Sequence, residues 1–209
     1  NFLPSIGRLT RYIEPSGKNV RVDSGVVEGS EISMFYDPMI SKLCTFSNSR
    51  KTTIKEMINA LDRYLIEGVR TNKDFLSNIL QNKNFEKSNY STSFIAENYK
   101  NGYDSFKVEL NDKEKIYAVA VFVNYKYLLR AASISNQLNG FNKTVGMQWD
   151  VLDNGTNINA TISFNNFNKS YDIYLGKKYV NLKSNWNIGH PLFSAIIDNH
   201  LSYFSIKRN

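Results

Sequence analysis

The residues whose chemistry could serve a reaction lie close together in one segment, Phe35 to Lys42. This segment combines two aromatic side chains, a carboxylate, a proline, an apolar pair and a lysine. Pro38 fixes its own φ and disfavours the helical conformation at Asp37, so the acid is held extended ahead of an apolar strand. A carboxylate in that position is well placed to meet a cation. The alternative is an ordinary turn that Asp37 caps, because Asp-Pro is common turn chemistry.

Other motifs for catalysis or metal binding are weak in this sequence. His190 and His200 have no cysteine near them, which disfavours a zinc site, and His190-Pro191 is typical of a turn. The sequence shows neither a phosphate-binding glycine loop nor a nucleophile elbow. From its residues alone, the chain contains half of a site at most.

Length, charge and cysteine usage bound the class of protein. The 209 residues allow one large or two small domains with a real core. A formal net charge of +7 and a pI of about 9.3 permit binding to nucleic acid or a membrane surface. The lysines and arginines are scattered, however, which favours an ordinary solvated surface. Cys44 is the only cysteine, so it has no partner for an internal disulfide, and we expect a reducing compartment.

The first half of the chain is predicted to be an α+β unit of three strands followed by three helices. Ser49 is a suitable N-cap for the first helix, whose apolar face includes Leu65 and which should stop near Gly68. We expect strands at residues 8–13, 20–23 and 40–46, and later helices at residues 71–80 and 92–97.

The pattern changes near residue 103, which predicts a first domain of residues 1–103 and a second of residues 104–209. The second domain opens with a helix at about residues 112–135 that is apolar nearly all round, so protein should enclose it. The strand-like segments that follow predict an antiparallel β-barrel at about residues 144–208, wrapped around this central helix. Hairpin turns are expected at Asn154-Gly155, Gly176-Lys177 and Asn199-His200. The strands are expected at residues 147–152, 157–164, 170–175, 178–183, 192–198 and 201–207.

Ordered motifs in the first half resemble the C-terminal subdomain of biotin carboxylases. They are Phe2–Thr10, Val20–Gly25 and Tyr36–Leu43, and shorter matches continue to about Glu97. Within the biotin-dependent acyl-CoA carboxylases, these motifs are most similar to the α subunits of the propionyl-CoA carboxylase family. The layout of the second half resembles the BT domain that links subunits in this family. That domain has eight strands around its helix and we count about six here, so we expect a truncated barrel with an open edge.

The resemblance implies a function for a longer parent chain. That parent would carboxylate biotin with ATP and bicarbonate, and the carboxyl group would pass to propionyl-CoA to give methylmalonyl-CoA. Its implied cofactors are biotin, ATP and Mg²⁺ or Mn²⁺, none of which this fragment is expected to bind. The ATP-grasp lobe would precede Asn1 and the biotin-bearing motif would follow Asn209, so we expect the fragment to be inactive alone.

The resemblance also implies partners and a location. The partners would be a carboxyltransferase β subunit and the biotin carboxyl carrier domain of the same parent chain, with no nucleic acid and no membrane. The location would be the cytoplasm of a bacterium or the mitochondrial matrix of a eukaryote.

Individual residues acquire expected roles from the same resemblance. Asp37 matches an acid near the carboxylation site, where it would orient an arginine of the parent chain. Arg21 matches an arginine at the subunit interface of stand-alone biotin carboxylases. The polar loop after the central helix matches a hook that touches the β subunit, although an ordinary exposed loop is an equal alternative. The interface residues expected in this loop are Asn136, Gln137, Asn139, Phe141 and Lys143.

Three alternative functions stay open on the sequence. The parent could act on another acyl-CoA, such as 3-methylcrotonyl-CoA, because the acyl-CoA pocket belongs to the β subunit. The chain could instead be a non-catalytic interaction module whose barrel docks a partner. A nucleic-acid-binding barrel is the third alternative, and salt-sensitive binding would favour it.

Overall fold

The structure is a computed structural model that describes residues 5–35, 37–103, 110–138, 140 and 143–207. The chain divides into two compact units, residues 1–107 and 108–209. Both units combine helices with antiparallel strands, which confirms the predicted α+β class. The domain boundary near residue 103 stays a prediction. Among the described helices, none has the length and apolar character needed to cross a membrane.

The described strands of the first unit pair as three antiparallel ladders of two strands each. They are β1 Gly7–Arg8, β2 Arg11–Ile13, β3 Val20–Ser24, β4 Glu31–Ile32, β5 Ser41–Thr45 and β6 Leu65–Glu67. β1 pairs with β4, β2 with β6, and β3 with β5. The single strand predicted at residues 8–13 is therefore two strands. The chain changes partner between them, because the amide of Leu9 donates to Ser30 while that of Thr10 donates to Glu67.

The helices described in the first unit are α1 Arg50–Arg63, α2 Lys73–Gln81, α3 Lys83–Glu86 and α4 Phe94–Asn98. Ser49 is the N-cap of α1, as predicted, and its hydroxyl accepts a hydrogen bond from the amide of Thr52 at 3.2 Å. The prediction that this helix reaches Gly68 is wrong. Leu65 fits a helical face by its spacing, but the backbone there pairs with Ile13 in the β2–β6 ladder. Long-range pairing overrides the local pattern at this point.

The second unit consists of the long helix α5, Leu110–Ala132, and an antiparallel sheet of six strands. The strands are β7 Gln148–Asp153, β8 Thr156–Asn165, β9 Ser170–Leu175, β10 Lys178–Lys183, β11 Leu192–Ile197 and β12 His200–Ser205. Each strand pairs with its neighbours in the sequence, as hairpins predict. The last turn lies at Asp198-Asn199, one residue before its predicted position, and both of these residues have a positive φ.

The core of the second unit lies between α5 and the inner face of the sheet. Phe122 is fully buried, and its ring lies 4.9 Å from that of Tyr171 and 5.7 Å from that of Phe193. The sheet packs against α5, as the predicted truncated barrel requires, but among the described residues the helix is not covered all round, since Ile116 and Leu128 are 42% and 37% exposed. Within the described strands the sheet is open, with β7 and β12 at its edges, and it covers one side of the helix.

Charged side chains fasten the beginning of α5 to two hairpins of the sheet. Lys113 Nζ lies 3.3 Å from Asp153 Oδ2, and Glu114 Oε2 lies 3.1 Å from Lys178 Nζ. The hydroxyl of Tyr117 also donates to Asp153. These bonds lower the pKa of Asp153, chiefly through the Tyr117 hydrogen bond and then through Lys113. The helix therefore has polar contacts to the sheet in addition to its apolar face.

Candidate functional site

Asp37 lies in an exposed turn directly before β5. Its Oδ1 accepts a hydrogen bond from the amide of Met39 at 3.0 Å, which is the geometry of an Asx turn. The capping role that Asp-Pro chemistry favoured is therefore present. The carboxylate is also exposed to solvent, so its other lone pairs can accept from a cation. Tyr36 lies outside the described residues.

The β3–β5 ladder holds the two ends of this turn region. Ser24 and Ser41 are the last partners in the register of that ladder. One further backbone bond follows, from the amide of Gly25 to the carbonyl of Ile40, at 3.3 Å. This bond is long compared with the usual 2.9–3.0 Å or so. At this end of the ladder, the backbone hydrogen bond that adjoins the Ser24–Ser41 pair is therefore a weak one.

A chain of four hydroxyl groups, which we call the hydroxyl chain, links the two longer ladders of the first unit. Tyr12 OH lies 2.7 Å from Ser24 Oγ and 2.5 Å from Tyr64 OH, which in turn lies 2.5 Å from Ser41 Oγ. Tyr12 on β2 pairs with Ile66 on β6, and Tyr64, the extended C-cap residue of α1, comes two residues before Ile66, so the register brings the two tyrosines together. Their rings meet edge to face with centroids 5.7 Å apart.

Tyr64 is the most enclosed member of the hydroxyl chain, with 3% of its surface exposed. Burial raises the pKa of Tyr64 far above its ordinary value, and the hydrogen bond from Ser41 only partly opposes this effect. The phenol therefore stays protonated at neutral pH and acts as both donor and acceptor. The sequence did not reveal this cluster, because Tyr12 and Tyr64 are far apart in the chain and only the β2–β6 register joins them.

Arg21, an expected interface residue, lies on β3 with its side chain exposed. Its Nε lies 3.3 Å from Asp23 Oδ1, and its Nη2 lies 3.9 Å from Cys44 Sγ. Successive side chains of a strand point to opposite faces, so Arg21 and Ser24 lie on opposite faces of β3. The structure therefore does not bring Arg21 onto the face that carries the hydroxyl chain.

The expected interface loop after α5 is closed on itself by Gln137. The side-chain amide of Gln137 donates to the carbonyls of Ala132 and Ile134, and its oxygen accepts from the amide of Lys143 at 3.0 Å. Asn136 has a positive φ of 64°, which reverses the chain after the helix. Asn139 and Phe141 lie outside the described residues.

This loop displays apolar side chains beside its polar residues. Leu138 is 77% exposed, and Ile134 and Met147 are also exposed. Ile134 was predicted to lie within the helix at about residues 112–135, but the helix ends at Ala132. These exposed side chains are apolar surface that a partner could cover, which makes the loop a candidate contact surface.

Metal-binding chemistry is not assembled in the described part of the chain. It contains no group of three histidine, cysteine, aspartate or glutamate side chains that could hold an ion. The carbonyl of His190 accepts from the indole of Trp186, and His200 Nδ1 lies 3.1 Å from the carbonyl of Asp198. Both histidines thus take part in local turn structure.

Comparison with known proteins identifies the two halves of the chain. Residues 1–97 match the family described as the biotin carboxylase C-terminal domain. Residues 116–209 match the family described as the propionyl-coenzyme A carboxylase BT domain. The chain belongs to the biotin-dependent carboxylases.

The relatives of this chain are longer proteins. It is 33% identical to the propionyl-CoA carboxylase alpha chain of Ruegeria pomeroyi, over 94% of this chain and 32% of the relative. It is 34% identical to the mitochondrial propionyl-CoA carboxylase alpha chain of Homo sapiens, over 92% of this chain and 27% of the relative. Among solved structures, a biotin carboxylase from Campylobacter jejuni matches at a TM-score of 0.45 and 40% identity, covering 46% of this chain and 22% of that one. The chain spans about a third or less of the curated relatives it matches.

Each feature described above lies in one of the two matched regions. The biotin carboxylase region contains the Asp37 turn, Arg21 and the hydroxyl chain. The BT region begins within α5 and contains the sheet and the loop that Gln137 closes. The chain thus contains one candidate site segment in its biotin carboxylase C-terminal domain and one candidate contact loop in its BT domain.

Proposed function

We propose that this chain is part of the α subunit of a propionyl-CoA carboxylase. The whole enzyme would carboxylate biotin with ATP and bicarbonate and pass the carboxyl group to propionyl-CoA, giving methylmalonyl-CoA. The observation that carries this proposal is the order of the two domains in one chain, a biotin carboxylase C-terminal domain followed by a propionyl-CoA carboxylase BT domain. Biotin, ATP and Mg²⁺ or Mn²⁺ are the cofactors of that larger enzyme, and this chain alone performs no carboxylation.

Asp37 has a positioning role in this proposal. Its exposed carboxylate accepts hydrogen bonds from the planar guanidinium of an arginine elsewhere in the parent chain. These bonds hold the guanidinium toward bicarbonate or the ureido oxygen of biotin. The Asx turn fixes the direction of the carboxylate, because one oxygen is bonded to the amide of Met39. Asp37 thus orients the chemistry and does not itself transfer a proton.

The BT domain and its loop connect the subunits. The partners are a carboxyltransferase β subunit and the biotin carboxyl carrier domain of the same parent chain. The loop residues Asn136, Gln137, Asn139, Phe141 and Lys143 contact the β subunit, and Arg21 belongs to a second interface. Mitochondrial and bacterial relatives support a location in the mitochondrial matrix or the bacterial cytoplasm, according to the source.

An assay of the complete carboxylase tests the reaction. The carboxylase that contains this chain, with its β subunit, should fix bicarbonate onto propionyl-CoA in an ATP-dependent reaction. A stronger response to 3-methylcrotonyl-CoA would reassign it to the sister enzyme. Failure with every acyl-CoA, together with capture of a partner, would leave the interaction module as the function.

The role of Asp37 is tested in the same enzyme by Asp37→Asn. Loss of a charge-assisted hydrogen bond, worth roughly 1.5–3 kcal/mol, should lower kcat for biotin carboxylation about 10- to 100-fold. Asp74→Asn is the matched control, because Asp74 is an exposed acid of the same unit in the first turn of α2. Equal activity of the two variants would contradict the positioning role.

The contact loop is tested by capture of the β subunit. Leu138→Asp places a charge on an exposed apolar side chain of the loop and should abolish capture. Leu152→Asp makes the same change at a 76% exposed leucine on β7 and should leave capture intact. If both variants capture the β subunit as the wild type does, the loop is an ordinary exposed loop.

A further inference from the structure

The hydroxyl chain has a fixed direction, which follows from counting protons. Each hydroxyl has one hydrogen to donate, and Ser24 gives its own to the carbonyl of Val26 at 2.8 Å. Tyr12 must therefore donate to Ser24, Tyr64 to Tyr12, and Ser41 to Tyr64. All the bonds point from the start of β5 toward the end of β3. Hydrogen bonds aligned in one direction polarise and strengthen one another.

This direction places Ser41 at the head of the hydroxyl chain, where its only hydrogen is committed to Tyr64. Tyr64 is nearly inaccessible to water, and Tyr12 and Ser41 are partly buried, so removing the phenol oxygen breaks two hydrogen bonds in a largely enclosed place. Ser41 also ends the Asp37 turn. Among the described residues of this turn, the backbone hydrogen bond to β3 is the long one from the amide of Gly25 to the carbonyl of Ile40. The hydroxyl chain thus provides a second attachment of the turn, because it connects Ser41 through Tyr64 to Tyr12 in the β2–β6 ladder.

We propose that Tyr12 and Tyr64 are positioning residues for the Asp37 turn. They hold Ser41, and through Ser41 they fix the turn that presents the Asp37 carboxylate. This inference rests on the proposed function, in which Asp37 orients an arginine of the parent chain. The two tyrosines act through the turn and do not contact substrate.

Hydrogen exchange of this chain tests the positioning directly. Tyr64→Phe should raise the exchange rates of the Met39 and Gly25 amides about fivefold to tenfold, the equivalent of one typical hydrogen bond. Tyr99→Phe is the matched control, since Tyr99 is a half-buried tyrosine of the same unit whose hydroxyl donates to Asn78 at 2.7 Å. Unchanged Met39 exchange in Tyr64→Phe, or an equal change in both variants, overturns the proposal. Tyr12→Phe interrupts the hydroxyl chain at a more accessible position, and it is the variant to use if Tyr64→Phe does not fold.

Kinetics of the complete carboxylase give a second readout. Tyr64→Phe should lower kcat for biotin carboxylation and leave the KM for ATP unchanged. In an Asp37→Asn background it should cause no further loss, because both changes act on the same turn. A simple loss of folded protein would instead lower the rate by the same factor in both backgrounds, which would contradict positioning. If the wild-type enzyme does not carboxylate biotin, the proposed function fails, whereas the exchange result on Met39 still decides the role of the tyrosines.

Discussion

At the scale of single residues, Gly68 occupies a position where the backbone leaves no room for a side chain. Its φ is +102°, and a Cβ added there would lie 2.0 Å from the carbonyl oxygen of Arg8 and 2.8 Å from the amide nitrogen of Thr10. Both atoms belong to the backbone where β1 passes into β2. Neither can move without disturbing the hydrogen bond from the amide of Thr10 to the carbonyl of Glu67, which lies next to the β2–β6 ladder.

Gly68→Ala should therefore destabilise the first unit by at least about 3 kcal/mol, through backbone strain and a direct clash. Gly102→Ala is the control, because Gly102 has a φ of +80° and no atom within 4 Å of the added Cβ. It should cost only about 1–2 kcal/mol, from the left-handed conformation alone. Urea unfolding followed by circular dichroism measures both free energies. Equal losses would show that the contact with Arg8 has no importance.

The residues of the candidate site were predictable to different degrees. The turn at Asp37 was predicted from sequence, because an acid before a proline has a local conformational signature, whereas its role at a site stays a prediction. Gln137 was found only as a member of a polar loop, and its three hydrogen bonds depend on where α5 ends. Tyr12 and Tyr64 were not found, since a pair of distant tyrosines has no local signal until the strand register is known.

At the scale of elements, the two faces of α5 should respond differently to truncation. Phe122→Ala removes a fully buried ring between Tyr171 and Phe193 and should cost about 3–5 kcal/mol. Leu128→Ala acts on a side chain that is 37% exposed and should cost much less, roughly 1 kcal/mol. Thermal unfolding of the two variants separates the cases. A large loss for Leu128→Ala would mean that the sheet covers more of the helix than the described strands do.

Elements with a strong local signal were predicted well. The six strands of the second unit were expected within a few residues of their positions, because Asn154-Gly155 and Gly176-Lys177 are turn sequences between apolar alternations. β4 was missed, since a strand of two residues has no periodicity to detect. β6 was mistaken for helix, because Leu65 satisfies helical spacing and only its distant partner Ile13 decides the conformation.

At the scale of the whole molecule, acid should lower the stability of the second unit through two carboxylates. The pKa of Asp153 is lowered by the hydrogen bond from Tyr117 and by Lys113. The pKa of Asp172 is lowered chiefly by the hydroxyl of Tyr179, at 2.8 Å. A carboxylate with a lowered folded pKa contributes stability above its unfolded value of about 3.9, and this stability is lost as the pH falls through the folded pKa.

The double variant Asp153→Asn, Asp172→Asn should therefore be less stable at pH 7 and show a flatter loss of stability below about pH 4. Both tryptophans of the chain, Trp149 and Trp186, lie in the second unit, so their fluorescence reports that unit alone. Asp198→Asn is not suitable as a control, since Asp198 accepts from the amide of Asn181. Asp150→Asn, at an exposed acid on β7, should retain the wild-type acid dependence. If the stability of the double variant fell with pH as steeply as that of the wild type, Asp153 and Asp172 would not be the source of the acid sensitivity.

The pairing order of the strands has a consequence for how the chain folds. From β7 to β12 each strand pairs with the one before it, so every ladder closes a short loop. In the first unit, by contrast, Arg11 pairs with Glu67 and Val20 with Thr45. Longer loops cost more entropy to close, and folding rates fall as the mean separation of contacts rises. Tryptophan fluorescence should therefore recover before Tyr64 becomes protected from solvent, and the turn that contains Asp37 should form after the sheet of the second unit.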